Sequence, residues 1–307
     1  MGSGRGPHLA MGCAQPVVIG SEPMVATPAI RPAPRPLDGD AAWQLVLALN
    51  AAADGAVGRA GPLAVSDDGG WQCAGPFTAE AQSVFDIYVP LLAARARTAR
   101  TQVVALLGQS LDGRIATLSG HSHFVNCDAA LLHLHRMRAL ADAVVVGAGT
   151  VALDDPLLTV RRCAGQTRLR VVVDPDGRAP SARRIFATAA PPTLLARCGV
   201  GAACGTAETL DLPRVAEGVD LDALLAALFA RGVRLALVEG GGKTVSQFIA
   251  AGRVDRLQLA IAPLVIGSGR PSIQLPPIER LDEALRPPTR RFALGEDTLF
   301  ECQLRDG

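Results

Sequence analysis

Short apolar runs and amphipathic stretches alternate from residue 101 onward, and this alternation limits the fold more than any other feature of the chain. "QVVALLG", "AVVVG" (143–147), "LRVVVD" (169–174) and "VRLALVEGGG" have the length and valine content of buried strands, and each ends in glycine or aspartate. Helical periods lie between them. Asp128 opens one with Leu131, Leu134, Met137 and Ala141 at its spacing; Asp220 opens another with Leu221, Leu224, Leu225 and Leu228; Thr244 to Ala251 reads as a third. "RLQLAIAP" and "TLFECQLR" alternate as strands near the end. Strands alternating with helices predict an α/β layer fold with a mainly parallel sheet flanked by helices.

The residues upstream follow a different grammar. Pro23, Pro28, Pro32, Pro34 and Pro36 crowd one short stretch, so residues 1–36 are expected to be a flexible proline-rich tail. Residues 37–100 read as a small α+β module. It has a helix in "DAAWQLVLALNAAA" with Asp40 as N-cap and Trp43, Val46, Leu47 and Asn50 at helical spacing, and a hairpin in "PLAVSDDGGWQC". A second helix follows, which Pro90 should kink or end. Residues 101–307 form the larger domain.

Composition narrows the function classes. Lys plus Arg number 30 against 29 Asp plus Glu, a net charge of +1, without the basic surplus of a nucleic-acid binder. The seven cysteines contain no Cys-x-x-Cys, which fits reduced thiols better than a disulfide framework. His121/His123 and His133/His135 have no Cys or carboxylate partner at a usual ligand spacing, so no metal site is expected. No apolar run reaches the ~18 residues of a membrane span, and the first residues lack the apolar region of a secretory signal. The chain reads as soluble and cytoplasmic, bound neither to membrane nor to nucleic acid.

Parallel sheets bind ligands beyond the carboxyl ends of their strands. Three loops there combine glycine or hydroxyl residues with charge: "GQSLDGRIATLSGHSHF", "AGTVALDDPLLTVR" and "EGGGKT". In the last, glycines let the backbone approach a ligand and the new helix presents N–H groups to a phosphate; equally, the turn can be kept small for packing. It is not a Walker A loop, because Leu237 occupies the first glycine position, nor is it G-x-G-x-x-G. In the middle loop Asp155 can cap a turn before Pro156, leaving Asp154 the freer carboxylate. Arg161 is either a planar fork for a phosphate or a plain surface arginine. In the first loop Asp112-Gly113 reads as a structural turn. Thr117, Ser119 and Ser122 are its ligand-capable hydroxyls, and Phe124 is an aromatic for a ring or for the core.

"SLDGRIATLSGHS", "RALADAVVVGAGTVALDDPLLTVR" and "LVEGGGKTVSQFIAAGRVDRLQLAIAPLVIG" together resemble the reductase domain of RibD-type riboflavin-biosynthesis proteins, over roughly residues 101–305 and in the family's motif order. The resemblance implies a dihydrofolate-reductase-like fold, NADPH as cofactor, and a phosphorylated heterocyclic substrate. The ribosyl group of 5-amino-6-(5-phosphoribosylamino)uracil, or of the related pyrimidinone, would be reduced to ribityl. The resemblance implies a cofactor site at Gly108, Phe124, Thr150, Asp154 and the backbone of Gly241, Gly242, Lys243, Thr244, Val245, Ser246 and Gln247. It implies a substrate site at Ser122, Leu158, Arg161 and Glu239. Hydride transfer to an imine-like C1′ needs alignment, a dry site and a proton source more than a nucleophile. Glu239, with a raised pKa at the end of a buried strand, and Asp154 are the two candidates for orienting or protonating the substrate; Arg178, Arg183 and Arg184 are candidates for the cofactor's 2′-phosphate.

The deaminase signatures His-x-Glu and Pro-Cys-x-x-Cys of full-length bacterial members do not occur here, so the reading is a stand-alone reductase. Phe124 stands where many members have Trp, and Leu106 where Lys is common. Those departures keep open another pterin-like or pyrimidine substrate, or a nucleotide-binding protein without catalysis. Family members commonly form two-fold dimers, and "LQLAIAPLVIG" offers apolar surface for a homodimer.

Overall fold

The valine-rich runs become neighbouring strands of one sheet in the computed structural model, which describes residues 1–2, 4, 35–52, 58–123, 125–199, 201, 203–216 and 218–305. Most of the proline-rich stretch, and Phe124, lie outside the described residues. Asp38 caps the first helix, α1 (Gly39–Ala51), accepting from Ala41 N–H at 2.9 Å, so the helix starts ahead of the expected cap Asp40. Three short antiparallel strands follow, β1 (Arg59–Ala60), β2 (Leu63–Val65) and β3 (Trp71–Cys73). Helix α2 (Ala79–Arg97) runs on through Pro90 rather than ending there. Proline costs a helix interior about 3 kcal/mol. Phe85, Tyr88, Val89, Leu91 and Leu92 around it are all buried, and at roughly 1.5–3 kcal/mol for each large apolar side chain their burial outweighs the lost hydrogen bond.

The remaining elements are β4 (Gln102–Ser110), β5 (Arg114–Thr117), α3 (Asp128–Leu140), β6 (Ala143–Gly147), α4 (Ala148–Asp154), β7 (Arg170–Val173), α5 (Arg184–Ala187), β8 (Thr193–Arg197) and β9 (Glu208–Asp211). Then come β10 (Arg214–Val215), β11 (Gly218–Val219), α6 (Leu221–Ala230), β12 (Leu235–Glu239), α7 (Gly242–Ala250), β13 (Arg256–Ala262), β14 (Gly269–Pro271), β15 (Thr289–Leu294) and β16 (Asp297–Gln303). The main sheet has the order β15-β16-β13-β4-β12-β6-β7-β8-β9. From β13 across to β9 the strands are parallel, and β16 and β15 add an antiparallel edge. This is the α/β class expected.

Alternation along the strands sorts the core into two layers. Val104, Leu106, Val144, Leu235 and Leu237 face α1, α2 and α3; Val103, Ala105, Val145, Ala236 and Val238 face Leu224 and Leu228 of α6 and Val245, Phe248 and Ile249 of α7. Trp43, Val46, Phe85 and Leu91 belong to the same apolar cluster as Val104 and Leu237, so residues 37–100 share the core of the larger sheet. Strand β13 is covered on one side by β4 and on the other by β16. Of "LQLAIAPLVIG", Leu264 and Val265 are exposed, while Leu257, Ala260 and Ala262 are buried in the central sheet and offer no surface to a second chain. Among the described residues no helix is long and apolar enough to cross a membrane.

Candidate active site

Strands β4, β12 and β6 are neighbours, so the loops that leave their carboxyl ends open side by side. They surround a cavity of about 1800 Å³, larger than the roughly 300–1,000 Å³ of an ordinary small-molecule site. It has room for a dinucleotide and a second ligand.

One wall is the start of α7, whose N-cap Gly241 provides no side-chain cap. The glycine run serves packing and approach at different positions. Gly240 has φ +96°, and a Cβ there would meet Thr150 Oγ1 at 2.9 Å. At Gly242 a Cβ would overlap the carbonyl oxygen of Ser272, because the chain after β14 lies on the first turn of the helix. Gly241 is the open one: its N–H donates to Thr150 Oγ1 at 2.9 Å, and a Cβ would touch only that hydroxyl, at 3.1 Å. Lys243, Thr244, Ser246 and Gln247 continue along the cavity, whereas the Val245 side chain turns into the core beside Phe248.

Gly108, at the end of β4, also lines the cavity. A Cβ there would overlap the side-chain amide of Asn126, which donates to Ala260 O at 3.0 Å and to Asp297 Oδ2 at 2.9 Å. In the loop that follows, Asp112 is a structural turn residue. Ser110 Oγ and the N–H groups of Ile266 and Gly267 donate to its carboxylate and hold it down to about 2. Ser122 reaches the cavity; Thr117 and Ser119 do not, their hydroxyls being bonded to each other at 2.9 Å.

Glu239, 4% exposed at the end of β12, accepts from Arg138 Nε at 2.9 Å and from its second nitrogen at 2.6 Å. Both carboxylate oxygens are thus taken by one planar fork, an arrangement for a fixed negative charge. The pairing suits Glu239 to orienting a ligand. Asp154, at the end of α4, is open to solvent on one side and walled by the cavity on the other. Loss of surrounding water raises its carboxyl, with the positive charges of Arg270 and His123 pulling the opposite way.

The backbone after Asp154 turns through two left-handed residues, Asp155 (φ +43°) and Leu158 (φ +55°), a conformation that side-chain-bearing residues adopt only when surroundings impose it. Arg184 imposes the first by donating its N–H and Nε to the Asp155 carboxylate, at 2.8 and 2.9 Å. Leu158 is 2% exposed, lines the cavity, and accepts from Thr167 Oγ1 at 2.7 Å. Arg161 is not on the cavity wall. Its N–H donates to His135 Nδ1 at 2.9 Å and its guanidinium to Thr159 Oγ1 at 2.9 Å. Partial burial and the like charges of Arg138, Arg162 and Arg184 lower the Arg161 guanidinium. Arg162 and Arg184 have carboxylate partners, Asp128 and Asp155; among the described residues Arg161 has no salt bridge. Burial and the charges of Arg138, Arg161 and Arg162 push His135 down to about 4, so it stays a neutral acceptor. Far along the cavity, Arg178 and Arg214 both pair with Asp176, at 3.0 and 2.9 Å. Arg183 and Arg184 lie off the cavity, Arg183 donating to Ala152 O.

The model of the RibD C-terminal domain matches residues 101–296. The chain belongs to that family. A 2,5-diamino-6-ribosylamino-4(3H)-pyrimidinone 5′-phosphate reductase of Methanothermobacter thermautotrophicus is 34% identical over 220 residues, 67% of this chain and 99% of the relative. RibD of Mycobacterium tuberculosis is 32% identical over 195 residues, 62% of this chain and 50% of that protein. Acinetobacter baumannii RibD shares the fold at TM-score 0.58 and 24% identity, over 73% of this chain and 62% of that one. The riboflavin biosynthesis reductase Rib7 of Saccharomyces cerevisiae does so at TM-score 0.51 and 18% identity, over 67% of this chain and 91% of that one. The RibD match starts at residue 101, so α1, β1 to β3 and α2 stand outside it.

Arg138, Asn126 and Arg270 complete the cavity of this RibD-type domain, and sequence reasoning missed all three. Arg138 had a signal: it follows Leu131 and Leu134 at helical spacing, a charge on the stripe that faces inward. Asn126 and Arg270 had none, since their partners are distant in sequence.

Proposed function

We propose that this protein is a cytoplasmic NADPH-dependent reductase that converts the ribosyl group of 5-amino-6-(5-phosphoribosylamino)uracil, or of its 2,5-diamino-pyrimidinone counterpart, to ribityl. One observation carries the reading. A cavity with room for two ligands lies between the uncapped start of α7 and the Arg138–Glu239 pair, in a chain that spans 99% of a stand-alone pyrimidinone phosphate reductase.

The first turn of α7, with Gly241 beneath and Lys243 beside it, fits a pyrophosphate. Gly108, Thr150 and Ser122 bound the space left for a nicotinamide ring, and Arg178 with Arg214 fits a 2′-phosphate, which favours NADPH over NADH. A bound dihydronicotinamide supplies hydride. Arg138 holds the Glu239 carboxylate still, so that it accepts hydrogen bonds from sugar hydroxyls and fixes C1′. Opening of the C1′–O4′ bond leaves a C1′=N double bond; hydride addition at C1′ breaks that π bond, and the nitrogen takes a proton, for which Asp154, on the cavity wall with its carboxyl raised by burial, is the assigned source. Leu158 walls off water, and Arg161, which stands off the cavity wall and has no salt bridge among the described residues, takes a substrate phosphate that reaches out past that wall. Leu106 on the cavity wall favours a second reading, another pyrimidine or pterin-like heterocycle. Exposed Leu111, whose N–H donates to Leu264 O beside exposed Val265, supports a homodimer through that corner.

The test follows oxidation of NADPH and of NADH with both phosphoribosylamino substrates, their dephosphorylated forms, and dihydropterins. NADPH turnover with the phosphorylated substrates is expected. Arg161→Ala should raise the substrate KM about tenfold, the loss of a charge-assisted contact present throughout the reaction, with kcat little changed. Turnover on dihydropterins alone would sink the substrate assignment.

A further inference from the structure

We infer that the amino-terminal layer is a brace for the substrate loop, and that Trp43 is the residue that positions it. The inference rests on reading Leu158 and Arg161 as substrate contacts. The segment 155–169 between α4 and β7 contains no helix or strand. A segment of that length holds one geometry only when groups outside it fix it. Helix α3 supplies part of the hold, with Arg138 donating to Thr159 O at 3.3 Å and His135 accepting from Arg161 N–H.

The rest comes from α1 and α2. Trp43 Nε1–H donates to Ala164 O at 3.1 Å. The indole is itself fixed, by Tyr88 of α2 edge-on at 5.4 Å between ring centres and by the Arg136 guanidinium at 5.3 Å. The next residue, Gly165 (φ +114°), is wedged between two helices: a Cβ would meet Ala139 of α3 at 2.6 Å and Leu47 of α1 at 3.5 Å. Thr167 then reaches back to hold Leu158 O. Beyond it, Arg168 donates to Asp142 at 2.9 Å, on the same oxygen that accepts from Arg95 of α2 at 3.0 Å, and Arg95 also donates to Asn50 of α1 at 2.5 Å. The layer therefore holds the loop directly at Ala164 and Gly165, and through the shared Asp142 carboxylate at Arg168, on either side of Thr167, whose hydroxyl donates to the left-handed Leu158. Covering the apolar face of the sheet requires none of these polar bonds.

Trp43→Phe keeps an aromatic ring and removes the donor. Amide hydrogen exchange in 157–167 is expected to rise about fivefold, the scale of one lost hydrogen bond, with β4 and β12 unchanged. The KM for the phosphorylated substrate should rise by a similar factor, while the NADPH KM and kcat stay at wild-type values. Unchanged loop exchange beside a lowered thermal midpoint would mean that Trp43 only packs, and overturns the inference. So would equal rises in the two KM values. If no substrate turns over, the functional reading fails, and the exchange result still judges the brace. If Trp43→Phe does not fold, Arg168→Gln, altered at a half-exposed side chain, carries the same expectation for 157–167, and unchanged exchange there overturns it.

Discussion

Glu239 and Arg138 belong to elements far apart in sequence and meet with both side chains largely buried. Removing one partner of such a pair strands a buried charge at a cost of about 3–5 kcal/mol, whereas removing both leaves nothing to compensate. Arg138→Met is therefore expected to lower unfolding stability by about 3 kcal/mol or more, and Glu239→Gln in that background to recover much of the loss. Urea unfolding of the two single variants, the double variant and wild type measures the coupling; simply additive losses would show that the pair does not act as a unit. In the proposed reaction, Glu239→Gln should lower kcat more than it raises KM, since it would remove charge beside the substrate's sugar while keeping size. The Glu239 position was legible at the end of a buried strand. Its partner was not, because Arg138 comes from a helix distant in sequence.

At the scale of elements, the glycines at the start of α7 separate by what stands over them. Gly242→Ala forces a methyl against the Ser272 carbonyl, backbone that cannot rotate away, and should cost about 2–3 kcal/mol as overpacking. Gly241→Ala meets only a hydroxyl, so the thermal midpoint should hold while NADPH affinity falls. Thermal unfolding and cofactor titration of both variants decide it, and equal effects on the two readouts would contradict the division. The parallel strands were legible because strands buried on both faces are apolar at every position, as in Ala143–Gly147. The three loops that surround the cavity were legible from the residues that end those strands. Pro90 was misleading because burial of its neighbours is a tertiary fact, and Thr117 and Ser119 because hydroxyls that look free in sequence are bonded to each other.

Across the whole molecule one buried polar chain ties the layers together. Tyr88 O–H donates to His133 Nδ1 at 2.8 Å, His133 Nε2–H to Gln258 Oε1 at 3.0 Å, and Gln258 Nε2 to Glu301 Oε2 at 2.9 Å. Arg256 and Arg290 close it on the other oxygen of Glu301. Burial pushes His133 down to about 4, whereas in the unfolded chain it titrates near ~6.5. Between those values the unfolded state takes up more protons, so stability falls as pH drops from about 6.5 to about 4, by about 3 kcal/mol for this one group. His135 adds to the loss in the same direction. Urea midpoints at pH 7 and pH 4.5 should show the decline, and His133→Gln should flatten it; an unaltered slope in the variant would remove His133 as the cause. The sheet order has a consequence for assembly in time. Strand β12 lies between β4 and β6, although it follows both in the chain by about a hundred residues. During synthesis the first and second cavity loops emerge early with a gap between their strands, and the third arrives only when β12 slots into it. Until that late insertion the growing chain has no cavity to fill, so ligand cannot chaperone its earlier folding.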